Sequence, residues 1–157
     1  MARSFFTWAQ TSWLGTLVRE STWGFAIASV FLLFGIVVLV GGVFLMSLRL
    51  LGLIMRDRAI SRVARDLRGW TLVGLVMTLV SGSIMGLGHG LMPDLYESGP
   101  FWLEMELLLA ALVFHFTLYR WVTSRDDAPP ALRGFTAVLA LFLWFGVGVS
   151  GRAIGFF

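Results

Sequence analysis

Two long runs without an aspartate, glutamate or arginine dominate this sequence and indicate whether it folds in water or in a lipid bilayer. They cover Ser21–Leu48 and Gly69–Pro93, and an arginine-rich stretch, Arg49–Arg68, separates them. An α-helix rises about 1.5 Å per residue and the hydrocarbon core of a bilayer is about 30 Å thick, so each run is long enough to cross a membrane. Two further apolar stretches, Phe101–Val122 and Gly134–Gly151, bring the predicted spans to four.

The predicted fold is an all-α, integral membrane four-helix bundle. It forms a single domain over residues 1–157, with spans at about 22–48, 70–92, 101–122 and 134–152, and its connections are too short for a soluble catalytic domain. Before the first span, Phe5, Ala9, Trp13 and Leu17 recur every four residues within Ser4–Val18. This spacing predicts an amphipathic helix lying in the membrane interface; the alternative is a docking surface for a neighbouring subunit.

The basic residues are distributed unevenly between the connections. All twelve are arginines, of which six lie in Arg49–Arg68 and three in Arg120–Arg133, whereas five of the nine acidic residues lie on the opposite rim. By the positive-inside rule we expect both arginine-rich connections in the cytoplasm and both termini outside, on the periplasmic side of a bacterial inner membrane. The cluster also attracts anionic lipid head groups. We do not interpret it as a nucleic-acid site, because aromatic residues for base stacking are not interleaved in it.

The sequence contains no recognisable catalytic apparatus. Cysteine is absent, which excludes disulfides and thiolate metal sites. We find no nucleophile–base pair, phosphate-binding loop or carboxylate dyad. The sequence therefore predicts no catalytic residues and no enzyme acting alone.

Ionisable side chains at membrane depth are costly and usually have a partner. Arg152 lies at the outer end of span four, at the same depth as Glu104 and Glu106 near the start of span three. We therefore expect a partly buried ion pair that fastens the two helices together, with Glu104 the favoured partner. The alternative is a proton or ligand site.

The two histidines raise the question of haem b, which needs an imidazole on each side of one iron. His89 lies at the outer end of span two, whereas His115 lies about 20 Å deeper by helical rise. They cannot ligate one iron within one protomer. We expect His115 to be a neutral core histidine, hydrogen-bonded to a backbone or hydroxyl group; a haem shared across protomers is the alternative.

Two further patterns occur on span two. Met85, His89 and Met92 fall at i, i+4 and i+7, and a thioether and imidazole set suits Cu(I), although methionine is also an ordinary filler of apolar gaps. The second pattern is glycine at every fourth position, at Gly82, Gly86 and Gly90. Small residues at this spacing form a groove that lets another helix backbone approach, from the same chain or from a different one.

Several segments together resemble a known family. They are Arg19–Phe25, Gly41–Val43, Leu48–Leu53, Trp70–Gly82, Gly99–Phe101 and Gly151–Ile154. Nearly the whole chain resembles a family of short bacterial four-helix membrane proteins without an assigned activity, distantly similar to the membrane domain of copper-resistance D proteins. Members often carry a histidine where this sequence has Leu32 and a lysine where it has Glu104. If family histidines serve a cofactor, the resemblance implies that this chain has kept the scaffold for assembly.

We therefore expect a non-catalytic inner-membrane protein without a cofactor, an accessory or structural subunit of a larger membrane complex or a homo-oligomer. Its partners would be membrane lipids and other membrane subunits or copies of itself, not nucleic acid. The observation behind this hypothesis is an excess of packing features, with glycine grooves and fourteen phenylalanines, over reactive groups. The alternative is a cofactor or metal carrier, binding haem b through His115 or copper at the outer rim.

Overall fold

A computed structural model describes residues 22–88 and 99–153, and the regular structure within these ranges is entirely helical. The predicted interfacial helix, Ser4–Val18, lies outside the described residues. The helices, in chain order, are α1 (Thr22–Leu50), α2 (Ile60–Gly88), α3 (Gly99–Phe114), a π-helical turn (His115–Tyr119), α4 (Arg120–Thr123) and α5 (Pro130–Ala153). The segment from α3 through the π-helical turn to α4 is continuous, and we call it the third span.

The predicted membrane architecture is confirmed at the level of helix number and type. Four helical segments are long and apolar enough to cross a membrane: Ala26–Leu50, Ile60–Gly86, Phe101–Thr123 and Pro130–Gly151. Helix α2 begins at Ile60, well before the predicted span start at Trp70. The helix therefore continues through Arg62, Arg65 and Arg68, which precede its apolar run.

Helix α1 ends in a glycine cap. Gly52 has φ +70°, a left-handed conformation that favours glycine. Its N–H donates to the Arg49 carbonyl at 3.0 Å, and the Leu53 N–H donates to the Leu48 carbonyl at 3.0 Å. These paired bonds form a Schellman motif, which satisfies carbonyls at the helix end. The motif gives a physical reason for the segment Arg49–Gly52, part of the family resemblance noted above.

The helices pack in the spatial order α2, α1, α5, α3. Helix α1 packs along most of α2 and also contacts α5, and α5 in turn packs against α3. Among the described residues, α2 and α3 hardly touch. The bundle core accordingly lies around α1 and α5, where Leu39, Val43, Met46, Ala137, Ala140 and Trp144 are all buried.

Glycine brings α1 and α2 to their closest approach. A Cβ atom added to Gly74 would lie 2.6 Å from the Leu39 backbone nitrogen and 2.9 Å from the Gly35 carbonyl oxygen. One added to Gly35 would lie 2.8 Å from the Thr78 backbone nitrogen, and one on Gly42 would lie 2.5 Å from Thr71 Oγ1. Small residues thus let the two backbones meet over two helical turns.

The two arginine-rich connections lie at the same end of the bundle, which we call the arginine-rich end. Asp126, between α4 and α5, accepts the Ser61 backbone N–H at 2.9 Å and the Ser61 hydroxyl at 2.8 Å. The carboxylate thereby binds one of the backbone donors that the first turn of α2 leaves free. Arg133 also donates to the Asp126 backbone carbonyl at 2.5 Å. The two bonds to Ser61 fasten the two connections together, and the bond from Arg133 holds the second connection in shape.

We expect Asp126→Ala to lower the thermal midpoint of unfolding, because it removes both bonds to Ser61. The hydrogen bond from the Ser61 backbone N–H, followed by that from its hydroxyl, lowers the pKa of the Asp126 carboxyl. A lowered folded-state pKa means that the contribution is complete above the usual aspartate pKa of about 3.9 and is lost as the pH falls through the folded-state value. Thermal unfolding in detergent at pH 7 and pH 3 would measure it.

The matched control for this change is Asp127→Ala, at the neighbouring exposed position. Wild type and Asp126→Ala should differ at pH 7, and the difference should be smaller at pH 3, whereas Asp127→Ala should match wild type at both. Equal effects of the two alanine substitutions at pH 7 would show that the cap does not stabilise the fold.

Candidate functional site

An open cleft lies between α2 and the third span, in the half of the bundle nearest the arginine-rich end. Its volume is about 400 Å³, within the range of small-molecule sites. Helix α1 supplies its floor with Gly42 and Met46. The α2 wall runs from Ser61 to Leu72, and the opposite wall runs from His115 to Ser124. The cleft exists because α2 and α3 do not close against each other.

A π-helical turn forms the inner part of the second wall. It spans His115–Tyr119 and interrupts an otherwise α-helical span. Such turns are rare, occur mostly as single insertions within α-helices, and are frequent at functional sites. The turn places both His115 and Phe116 against the cleft.

Aromatic rings hold His115 in place. Its imidazole stacks on Tyr119 with 4.8 Å between ring centroids and 21° between planes, and it meets Trp144 of α5 edge-on at 5.9 Å. The sequence predicts a hydrogen bond from the His115 ring to a backbone or hydroxyl group. The structure differs, because Nδ1 is buried and has no partner among the described residues. The contacts observed for the ring are with aromatic side chains, so His115 is positioned by packing.

Four more polar atoms share this condition in the described part of the chain. They are Ser47 Oγ, Arg133 Nε, Thr136 Oγ1 and Trp144 Nε1, all buried without a hydrogen-bond partner. Trp144 is the residue whose ring contacts His115. A buried polar group without a hydrogen bond costs free energy. The His115–Trp144 contact brings together two such groups beside the cleft.

The two glutamates of the predicted ion pair lie at the other end of the third span, and Arg152 lies near the end of α5. Glu104 is half-buried with its carboxylate directly against α5, since a Cβ on Gly151 would lie 2.6 Å from Glu104 Oε1. Glu106 is exposed, and the Arg152 side chain lies outside the described residues. Glu104 and His115 both face α5, as their spacing of eleven residues predicts. The pairing with Arg152 stays a prediction.

The predicted copper ligands are described only in part. Met85 Sδ accepts a hydrogen bond from Ser29 Oγ of α1 at 3.7 Å, so the thioether faces the α1–α2 interface. His89 and Met92 lie outside the described residues. Within residues 22–88 and 99–153, no group of three or more histidine, aspartate and glutamate side chains is placed to hold a metal ion.

The predicted glycine groove and the closest helix contact occupy different stretches of α2. Within residues 22–88 and 99–153, an added Cβ at Gly82 would meet only Leu32 Cδ1, at an ordinary 3.9 Å. Gly86 is partly exposed, and Gly90 lies outside the described residues. The tight contact is at Gly74, which our sequence reasoning missed. The signal that could have found it is the series Thr71, Gly74, Thr78 and Gly82, small residues at helical spacing.

A family model matches residues 5–157, so the chain belongs to DUF6644, a family of unknown function. No curated protein matches the chain, and no solved structure matches it. The family membership covers nearly the whole chain and is compatible with the four candidate membrane spans. It assigns no activity to the cleft or to any residue described above.

Proposed function

We propose that this member of the DUF6644 family is a non-catalytic accessory subunit of a membrane complex or homo-oligomer in a bacterial inner membrane. It acts by packing against another membrane helix, from a copy of itself or from a larger complex. Both termini then face the periplasm, and the arginine-rich end faces the cytoplasm. The bonds between Asp126 and Ser61 support this topology, because they hold the two arginine-rich connections at one side.

The observation that carries the proposal is the open small-residue face at Gly82 and Gly86. Both glycines are partly exposed, and among the described residues the nearest atom to a Cβ on Gly82 is a single Leu32 methyl carbon at 3.9 Å. The described helices therefore leave room above this face. Membrane helices associate through faces of this kind, because lipid tails are as apolar as leucine and close backbone contact must supply the attraction.

The low burial of the third span supports the same conclusion. Only 11% of the residues in its most apolar window are buried inside the chain, compared with 28% for the first and fourth spans. Its apolar surface is therefore left to lipid or to a neighbouring subunit. A subunit that completes its packing in a complex is expected to leave such a span uncovered.

Purification in a mild detergent tests the proposal. We expect the wild-type protein to be recovered as an oligomer or with an associated membrane chain. Gly82→Leu should fill the open face and weaken that association by about 1–3 kcal/mol, as overpacking does. Gly41→Leu is the matched control, because beyond the local helix backbone no atom of the described chain lies within 4 Å of a Cβ there. A wild-type monomer without any associated chain would contradict the accessory role.

A second candidate function, a cofactor carrier, is favoured by one observation at His115. The ring lines a cleft, and its buried Nδ1 has no partner among the described residues. The resemblance to the membrane domain of copper-resistance D proteins motivates the same candidate, with haem b shared across protomers or Cu(I) bound by Met85, His89 and Met92. A visible absorption spectrum and metal analysis of the purified protein, repeated with His115→Ala and His89→Ala, would separate the carrier from the accessory subunit.

A further inference from the structure

The cleft between α2 and the third span has a charge pattern that the proposed function does not use. Arg65 and Arg68 line one wall, and Arg120 lines the opposite wall. All three are exposed, and none forms an ion pair with another described residue. Among the described residues, no acidic side chain lines the cleft. Three like charges that converge on one concave surface create a positive potential that favours an anion.

One carboxylate just outside the lining, that of Asp126, is already occupied. Asp126 lies beside the cleft because it binds Ser61, a lining residue. Both of its oxygens accept hydrogen bonds from that residue, one from the backbone and one from the hydroxyl. Asp126 therefore supports the α2 wall and leaves the three guanidinium groups without a counterion from the described chain.

Both walls change from polar to apolar in the same direction. On α2 the lining residues run from Ser61 and Arg65 to Leu72, a rise of about 10 Å from the arginine to the leucine. On the opposite wall they run from Ser124 and Arg120 back to Phe116, about 6 Å deeper than Arg120. The walls belong to helices of opposite direction, so the two polar ends meet at the arginine-rich end and the two apolar ends meet at membrane depth.

We infer that this cleft binds one anionic phospholipid of the leaflet at the arginine-rich end. Its phosphate lies among Arg65, Arg68 and Arg120, and an acyl chain lies over Leu72 and Phe116. Guanidinium groups suit phosphate because their N–H groups are arranged in a planar fork. Basic pockets between membrane helices bind anionic head groups in this way.

The shape of the cleft selects a lipid over a free anion. The space opens sideways, between two helices that hardly touch, so an amphiphile can enter from the bilayer without leaving it. The apolar inner half of the cleft offers no polar contact to an inorganic phosphate, whereas it can pack against an acyl chain. The inference depends on the chain being embedded in a membrane and does not depend on the accessory role.

The test uses the full-length protein, purified in a neutral detergent and stripped of lipid. Palmitoyl-oleoyl phosphatidylglycerol, the phosphatidylcholine with the same chains, and inorganic phosphate are added separately, and binding is measured by native mass spectrometry and by thermal shift. We expect phosphatidylglycerol to bind at least about tenfold more tightly than phosphatidylcholine. Inorganic phosphate should produce no shift at the same concentration.

Two variants locate the binding. The triple change Arg65→Gln, Arg68→Gln and Arg120→Gln should abolish the preference for phosphatidylglycerol. The control triple, Arg58→Gln, Arg62→Gln and Arg125→Gln, removes the same charge from exposed positions outside the cleft and should retain it. Ala64→Trp keeps every charge but fills the cleft, and it should weaken phosphatidylglycerol binding although the surface charge is unchanged.

Three results would overturn the inference. They are equal affinity for the two phospholipids, equal loss of preference in both triple variants, and full binding by a folded Ala64→Trp protein. The last two would assign the effect to general surface charge. Lipid binding and the recovery of an oligomer or partner chain are measured in separate experiments. A negative result for lipid binding would therefore not contradict the accessory role.

Discussion

Gly74→Ala is expected to destabilise the bundle by about 1–3 kcal/mol, the range for an added group in a closely packed contact. The new methyl carbon would lie 2.6 Å from the Leu39 backbone nitrogen and 2.9 Å from the Gly35 carbonyl oxygen. These are backbone atoms, so no side-chain rotation can relieve the contact and the two helices must separate. The Gly35–Thr78 and Gly42–Thr71 contacts lie on the same interface and would loosen with it.

Gly69→Ala provides the matched control on the same helix. In the part of the chain that the structure describes, no atom beyond the local helix backbone lies within 4 Å of a Cβ at Gly69. Alanine in a helix interior is also favoured over glycine by about 1 kcal/mol. Thermal and denaturant unfolding in detergent should therefore show Gly74→Ala below wild type and Gly69→Ala at or above it. If the two variants have equal stability, the close approach of α1 and α2 does not limit the fold.

The four spans could be predicted from the sequence because lipid imposes a single strong requirement. A helix must satisfy its own backbone and carry apolar side chains over the bilayer thickness, and uninterrupted runs such as Ser21–Leu48 show this directly. The start of α2 was harder to predict. Helical structure continues outside the apolar region, so the hydropathy change near Trp70 marks an expected membrane boundary and not the helix end at Ile60.

The contact at Gly74 shows why the sequence predicts that α2 has a small-residue packing face but not where the close contact lies. Spacing indicates that a small-residue face exists, but the neighbour's shape decides where along that face the backbones meet. Gly82 belongs to the predicted groove and has room, whereas Gly74, two turns away, has none. Regular glycine spacing predicts the groove at Gly82, whereas Thr71 and Thr78 continue the same face to the close contact at Gly74.

The cleft could not be predicted, because it depends on two features that local sequence does not carry. One is the π-helical turn at His115–Tyr119, which has no proline or glycine to mark it. The other is the spatial order of the helices, which leaves α2 and α3 apart. Arg65 and Arg68 belong to one arginine-rich stretch and Arg120 to the other, and only the fold places all three around one cleft.

Arg152→Ala is expected to destabilise the bundle by about 2–3 kcal/mol if Glu104 is its partner. The carboxylate of Glu104 lies against Gly151, one residue before Arg152, and the side chain is half-buried. Removing one partner of a fully buried pair costs about 3–5 kcal/mol, and partial exposure reduces that cost. The double variant with Glu104→Ala should be more stable than Arg152→Ala alone, because it removes the stranded carboxylate with the guanidinium. Unfolding of the two single variants, the double variant and the Glu106→Ala control would complete the cycle. Strictly additive effects of the two alanine changes, or an equal coupling of Arg152 to the exposed Glu106, would rule out Glu104 as the specific partner.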